Sequence, residues 1–280
     1  MSEIDIFVCC HREYPVPSHP LLRPIHAGAA LSGERLSGFQ RDDEGDNISA
    51  LNRSYCELTA LYWAWKNARA DFCGLFHYRR YLYPEPGARR PYILRGAPTA
   101  GLLERLGFGG FEELIRARDL ILPTPEEMYV SVREHYAAAP DHHGEDLALA
   151  ERILGELYPG YAAAADRYLS GTRHVFGNLC IMRRDVLDDY CRWLFAILAE
   201  FDRRADVSGY GPGELRVDGY LAERLLGIYC TQHRADLRVQ ELPRVHFEER
   251  AVPLCKERAL YFLLPPGSRR RAAVKRGLLR

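Results

Sequence analysis

The 280-residue chain has no net charge, no paired-cysteine motif, no Asp-x-Asp and no long apolar run, and each lack removes a class of protein. Lysine plus arginine and aspartate plus glutamate number 38 each, so no global field draws the chain to nucleic acid. Any attraction to an anionic partner must be local. The eight cysteines are scattered, with only Cys9 and Cys10 adjacent, which argues against a zinc site or a disulfide framework and fits a reducing cytosol. The opening MSEIDIFVCCH is acidic where a signal peptide would be basic, and no apolar segment approaches the roughly 18 residues of a membrane helix. A soluble, cytoplasmic protein with one large core-bearing domain is expected.

What is present is organised around Asp46 to Tyr83, DNISALNRSYCELTALYWAWKNARADFCGLFHYRRYLY. Ile48, Leu51, Tyr55, Leu58, Leu61, Tyr62 and Trp65 recur at steps of three and four, which predicts one helix with one buried face, started by Asn47 or Ser49. Phe72 to Phe76 is short and apolar and predicts a strand buried on both faces. It ends in His77-Tyr78-Arg79-Arg80. Ligands of open α/β sheets gather at the carboxyl ends of strands, so this imidazole, phenol and pair of guanidinium groups point to an anionic ligand. The alternative is a solvated arginine pair with tyrosines capping the core.

Ile4 to Cys10 predicts the first central strand, with His11 at its end, either a turn residue or one facing a nucleotide. Four prolines make Tyr14 to Pro24 a loop, and Pro24 to Gly28 reads as a short strand before a glycine turn. Residues 32–46 read as a flexible loop. Pro84 to Pro98, with Arg89-Arg90, reads as an exposed excursion, Gly101 to Ala117 as helical, and Asp119 to Leu122 as a buried strand. Alternating strands and helices predict a largely parallel sheet flanked by helices, an α/β fold. Tyr136 to Asp146 precedes a helix with Leu147, Ala150, Ile153, Leu154 and Leu157 on one face. Its His142, His143, Glu145 and Asp146 suit a divalent cation, a ligand pocket, or only the electrostatics of a helix start.

His174 to Met182 reads as a strand with Gly177-Asn178 at its middle, where a ligand or backbone can approach. The stripe Leu187, Tyr190, Trp193, Leu194, Ile197, Leu198 and Phe201 on the helix Asp185 to Arg204 reads as core. Ser208 to Gly213 is a glycine-rich loop without the lysine and spacing of a P-loop, and reads as a mobile cover. Arg216 to Leu226 starts a helix with Asp218 as a cap and Glu223 beyond it; either carboxylate is a candidate proton acceptor or a structural residue. Leu237 to Phe247 predicts a final strand. Residues 268–280, SRRRAAVKRGLLR, form a basic tail, either solvated or drawn to anionic lipid.

The segments IFVCCHREYPVP, PIHAG, NIS, NxxYCELTALYWAWKN, GLFHYRRYL, HHGEDL, GNLCIMRRDVLDDYCRWLFAIL and GYLAERLL span about residues 4 to 247. Together they resemble the bacterial capsular and exopolysaccharide biosynthesis glycosyltransferases long catalogued as a domain of unknown function. The resemblance implies a GT-A-like domain over residues 1–267 with a helical C-terminal part. It implies hexosyl transfer from a nucleotide-diphosphate sugar to a surface-polysaccharide acceptor, glycan or lipid-linked, some relatives being associated with galactofuranose. Donor-binding residues under it are His11, Asn47, Asn52, His77, Tyr78, Arg79 and Arg80. The acceptor or sugar pocket takes His142, His143, Asp146, Asn178 and Arg216, and catalysis falls to Glu223 or Asp218.

Ordinary GT-A enzymes hold a cation on Asp-x-Asp, and here His77-Tyr78-Arg79-Arg80 ends the corresponding strand. Two arginines would offset the charge of a diphosphate leaving group in place of a metal, so no cofactor is expected, with manganese or magnesium left open. Two other functions remain open on sequence: a non-catalytic binder of nucleotide sugar or glycan, and a metal phosphoesterase built on His142, His143 and Asp146.

Overall fold

The computed structural model describes residues 3–84 and 92–248, with residues 270, 273 and 274. The Arg89-Arg90 pair, most of the basic tail and the expected domain boundary at residue 267 lie outside the described residues. In chain order the strands are β1 (Ile4–Cys10), β2 (Leu22–His26), β3 (Gln40–Arg41), β4 (Phe72–His77), β5 (Arg80–Leu82), β6 (Tyr92–Arg95), β7 (Leu120–Pro123), β8 (Glu126–Glu127), β9 (Arg173–His174), β10 (Cys180–Arg183), β11 (Val239–Leu242) and β12 (Arg244–Glu248). The helices are α1 (Asn52–Tyr55), α2 (Leu58–Asn67), α3 (Ala100–Arg105), α4 (Phe111–Arg116), α5 (Val132–Ala137), α6 (Gly144–Leu157), α7 (Ala162–Ser170), α8 (Arg184–Arg204) and α9 (Val217–Gln232).

The central sheet has the order β11-β7-β10-β4-β1-β2-β3. β10 runs antiparallel to both its neighbours, and the other pairs in this row are parallel. A side branch follows, with β5 and β12 antiparallel and β12 and β6 parallel. Both faces are buried. Along β1, Ile4, Ile6, Val8 and Cys10 enter one core with Phe76, Phe108 and Phe111, while Phe7 and Cys9 enter the other beneath α2 and α8. That two-sided burial is why β1 and β4 read as continuous apolar runs.

Several elements differ from expectation. The helix expected over residues 48–65 is broken: a 3₁₀ turn at Ser49–Leu51 and α1 end at Cys56, whose backbone has φ 51° and ψ −126°, before α2 begins. Of the face expected to be buried, Tyr55, Leu58 and Leu61 are buried while Leu51 is exposed; apolar spacing that runs on across the break hides the kink from a pattern reading. Neither Asn47 nor Ser49 caps α2; Asn47 accepts from the Ser49 amide and Ser49 is buried with its hydroxyl on Asp42. The strand expected over His174 to Met182 splits into β9 and β10 at Gly177, which adopts φ 77°. The final strand divides into β11 and β12 at Pro243, and the flexible loop over residues 32–46 contains β3. Leu157 is exposed, whereas Leu147, Ala150, Ile153 and Leu154 are core, as is the whole stripe on α8. Arg216, not Asp218, occupies the cap position of α9. Helix α7 was not foreseen.

Candidate functional site

Parallel pairing puts Cys9 of β1 opposite His77 of β4, so the residues after both strands emerge at one edge of the sheet. His11, His77, Tyr78, Arg79 and Arg80 all line an open cleft of about 640 Å³ there. Burial, with the charges of Arg80 and Arg79, pulls the His77 imidazole down to about 2, so it is neutral. Its Nδ1 accepts from the Arg79 amide at 3.2 Å, which leaves the proton on Nε2 as a donor. His11 is likewise held down by burial and by Arg12 and Arg79. Tyr78 is a platform: His11 packs edge-on at 5.1 Å, and the Arg79 guanidinium lies 5.1 Å from its ring centre. The Nε of Arg79 is buried with no partner among the described residues, a donor awaiting an acceptor. Burial and Arg244 lower Arg80, while the carboxylates of Glu57 and Glu223 support its charge.

The facing wall comes from the α1–α2 junction, the loop before α9 and the first turns of α9. It contributes Asn52, Arg53, Cys56, Glu57, Pro212, Leu215, Arg216, Tyr220 and Glu223. Glu223 is tied on both oxygens: the Gly177 amide donates to Oε1 at 2.9 Å, and Arg224 Nη1 donates to Oε2 at 3.1 Å. Burial alone would raise its pKa, but His174 and Arg224 outweigh it and hold the carboxyl at about 2. Arg216 lies over the Tyr220 ring at 5.4 Å and donates to Cys56 Sγ at 3.4 Å. The cleft therefore has a cationic floor at the strand ends and carboxylates on its far wall, a polarity suited to an anionic ligand whose other end carries hydroxyls.

Of the residues expected at the site, His11, Asn52, His77, Tyr78, Arg79, Arg80, Arg216 and Glu223 are brought together on the cleft. The others lie behind it. Asn47 donates to the carbonyls of Asp43 and Gly45 and closes a turn. Asp218 is fully buried beside Asp202, accepts from the Ser54 hydroxyl, and burial plus Asp202 push it up to about 8, so it is a neutral acid in the first turn of α9. Asn178 is buried and donates to Glu57 Oε1 at 2.8 Å and to the Gly219 carbonyl at 3.1 Å. His142 stacks on Tyr220 at 4.0 Å; its Nδ1 meets the Pro140 carbonyl. His143 stacks on Tyr210 at 4.5 Å and meets Glu214 at 2.9 Å, and the Tyr210 hydroxyl donates to Asp146. These last contacts pin Ser208 to Gly213, expected as a mobile cover, and Glu214 beyond it onto the start of α6. With their donors and acceptors so engaged, the two histidines and Asp146 do not converge on a cation position, and no group of three or more ligating side chains is found among the described residues.

Glu57, Cys56, Tyr220 and Pro212 escaped the sequence reading. Glu57 stands inside the quoted YCELT, but an unbroken helix gave no reason to aim it anywhere.

Residues 5–234 match the model of a family described as "Domain of unknown function (DUF4422)". A solved structure of a bifunctional glycosyltransferase, WbbM, in its apo form is similar to this chain, with TM-score 0.82 and 29% sequence identity. The match covers 90% of this chain and 47% of that one, so this chain spans about half the length of its structural relative. Among curated proteins there is no match.

Proposed function

This chain belongs to the DUF4422 family, and from that premise we propose that it is a glycosyltransferase taking its sugar from a nucleoside diphosphate. The observation that carries the reading is the cleft itself: Arg79 and Arg80 at the carboxyl ends of parallel strands, with an unpartnered Nε on Arg79, opposite Glu57 and Glu223. The guanidinium groups would hold the diphosphate and offset the charge that grows on it as the glycosidic bond breaks. Neutral His77 would donate through Nε2 to the same group. Likeness to a glycosyltransferase at 29% identity supports the same chemistry.

The finer parts of the proposal are these. The transfer is hexosyl, the acceptor is a surface polysaccharide or its lipid-linked precursor in the cytoplasm, and the arginines act without a divalent cation. The basic residues of 268–280 would add attraction to anionic lipid, about 1 kcal/mol each near a membrane. Among the described residues no helix is long and apolar enough to cross a membrane. Vesicle co-sedimentation of the chain with and without residues 268–280 tests the tail.

A thermal-shift screen against uridine and guanosine diphosphates and their sugars tests the donor. Stabilisation by a nucleoside diphosphate that survives EDTA is expected; stabilisation lost in EDTA and restored by manganese would overturn the metal-free part. A binder of the same fold without chemistry would bind but never release diphosphate from the donor sugar.

A further inference from the structure

We propose that Glu57, rather than Glu223, is the catalytic carboxylate that takes the proton of the attacking hydroxyl, an inference that rests on the glycosyl-transfer reading and deepens it. Both carboxylates line the cleft, and their surroundings differ. Glu223 has no oxygen to spare. Besides the Gly177 amide and Arg224, its Oε2 faces His174 Nε2 at 3.6 Å. The tautomer of that imidazole follows from its other side: the Val175 amide donates to the Tyr168 oxygen at 3.1 Å, so the Tyr168 hydroxyl spends its own proton on His174 Nδ1 at 2.8 Å. Nε2 of His174 then carries the hydrogen and stands beside Glu223, just beyond hydrogen-bond distance. A carboxylate so surrounded, held at about 2, is a fixed anion that supports Arg80 and takes protons poorly.

Glu57 is arranged the other way. Oε1 accepts from Asn178 Nδ2 at 2.8 Å, and Oε2 has no hydrogen-bond partner among the described residues. One oxygen is anchored and the other is open. The backbone that aims it is strained: Cys56, immediately before it, takes φ 51°, a conformation that residues with a side chain rarely adopt and that must be enforced by its surroundings. Enforcement comes from Asn52, whose amide donates to the Cys56 carbonyl at 2.6 Å and to Thr59 Oγ1 at 2.9 Å. Asn52 in turn occupies the space left by Gly28, where a Cβ would stand 2.6 Å from Asn52 Cγ. Asn178 also holds the Gly219 carbonyl, tying the junction to α9. Three separate segments, PIHAG, NRSYCELT and GN, thus converge on the orientation of one carboxylate. A helix running straight through residue 56 would need none of them.

In the step assigned to it, the acceptor hydroxyl gives its proton to Glu57 Oε2 as its oxygen bonds to the anomeric carbon. The bond from that carbon to the diphosphate oxygen breaks, and its electron pair leaves on the diphosphate beside Arg79 and Arg80.

The test measures nucleoside diphosphate release from a panel of UDP- and GDP-hexoses, with water as acceptor, and diphosphate binding by calorimetry. Glu57→Gln is expected to bind the diphosphate as the unaltered chain does and to lose on the order of 10²–10⁴-fold in release. Glu57→Ala is expected to regain part of that loss in formate, which a residue with only a structural task would not show. Release at the unaltered rate by Glu57→Gln, or loss without formate rescue in Glu57→Ala, overturns the assignment and leaves the transferase reading in place. If the unaltered chain neither binds a diphosphate nor releases one, the transferase reading falls and this assignment with it. Should Glu57→Gln fail to fold, Glu57→Asp keeps the charge one methylene short and is expected to show the same loss with binding intact; full release by it overturns the proposal.

Discussion

Arg79, half-buried with a buried Nε, and Asp218, fully buried, are opposite kinds of polar residue. Arg79 Nε lacks a partner among the described residues, and Arg80 is supported by two carboxylates that would remain if it were removed. Arg79→Ala or Arg80→Ala should weaken nucleoside diphosphate binding by about 1.5–3 kcal/mol, the range of a charge-assisted hydrogen bond, with the melting temperature nearly unchanged. Unchanged affinity in both variants would place the diphosphate elsewhere. Asp218 keeps its proton up to about 8 in the folded chain against an ordinary 3.8, because it is buried beside Asp202. The unfolded chain then holds fewer protons than the folded one between those limits, so this group makes stability fall as pH rises from about 4 to 8. Asp218→Asn should flatten the melting profile across that window and raise the melting temperature at pH 8. A slope equal to that of the unaltered chain would show that the pair does not titrate this way. Glu223 acts with the opposite sign in a lower window: held at about 2, it stabilises the fold above its ordinary 4.5, and that support is lost as pH falls toward 2.

At the scale of elements, α9 is the member most constrained by its neighbours. It carries Glu223 on one turn and Gly227 on the next, and a Cβ at Gly227 would stand 1.9 Å from Tyr168 Cζ on α7. Tyr168 has little room to retreat, since it is bonded to both His174 and the Val175 amide. Gly227→Ala should therefore push the two helices apart and destabilise by about 1–3 kcal/mol, the usual range for overpacking. Calorimetric melting of this variant, of Tyr168→Ala and of the pair should show strong non-additivity; additive losses would mean that the helices do not meet as described. The loop 208–216 is held to α6 through Tyr210 and Glu214 as well as by its own backbone bonds, from the Tyr210 amide to the Val207 carbonyl and from the Leu215 amide to the Gly211 carbonyl. Tyr210→Phe removes the bond to Asp146 and should speed amide exchange across residues 208–216 without altering exchange in the sheet.

For the whole molecule, the sheet is shared by two cores, one under α2 and α6 to α9, the other under α3, α4 and the β5–β12 branch. Neither core exists without β1, β4 and β10, so we expect a single cooperative thermal transition by both near-ultraviolet and far-ultraviolet signals. Two separated transitions would show that the halves fold apart. The same sharing explains why the cleft sits where it does: strands pointing the same way deliver His11 and the His77 to Arg80 run to one edge, and the antiparallel β10 delivers Gly177 and Asn178 to that edge from its opposite end.

Short-range pattern was sufficient for the central strands, for the core face of α8 and for the cationic cluster, because burial on two sheet faces and a stripe on one helix face leave periodic traces in the chain. Most of the residues named from the motifs line one cleft. What pattern could not decide is which of two carboxylates is open. Glu57 and Glu223 look alike in sequence, and only the tertiary structure saturates one with the Gly177 amide, Arg224 and His174 while leaving an oxygen of the other free. Asp218 likewise reads as an ordinary helix-start acid until packing buries it completely beside Asp202, sixteen residues away in the chain. Periodicity records which side of an element is buried; proton affinity depends on the partners that long-range folding brings to each atom, and those leave no spacing to read.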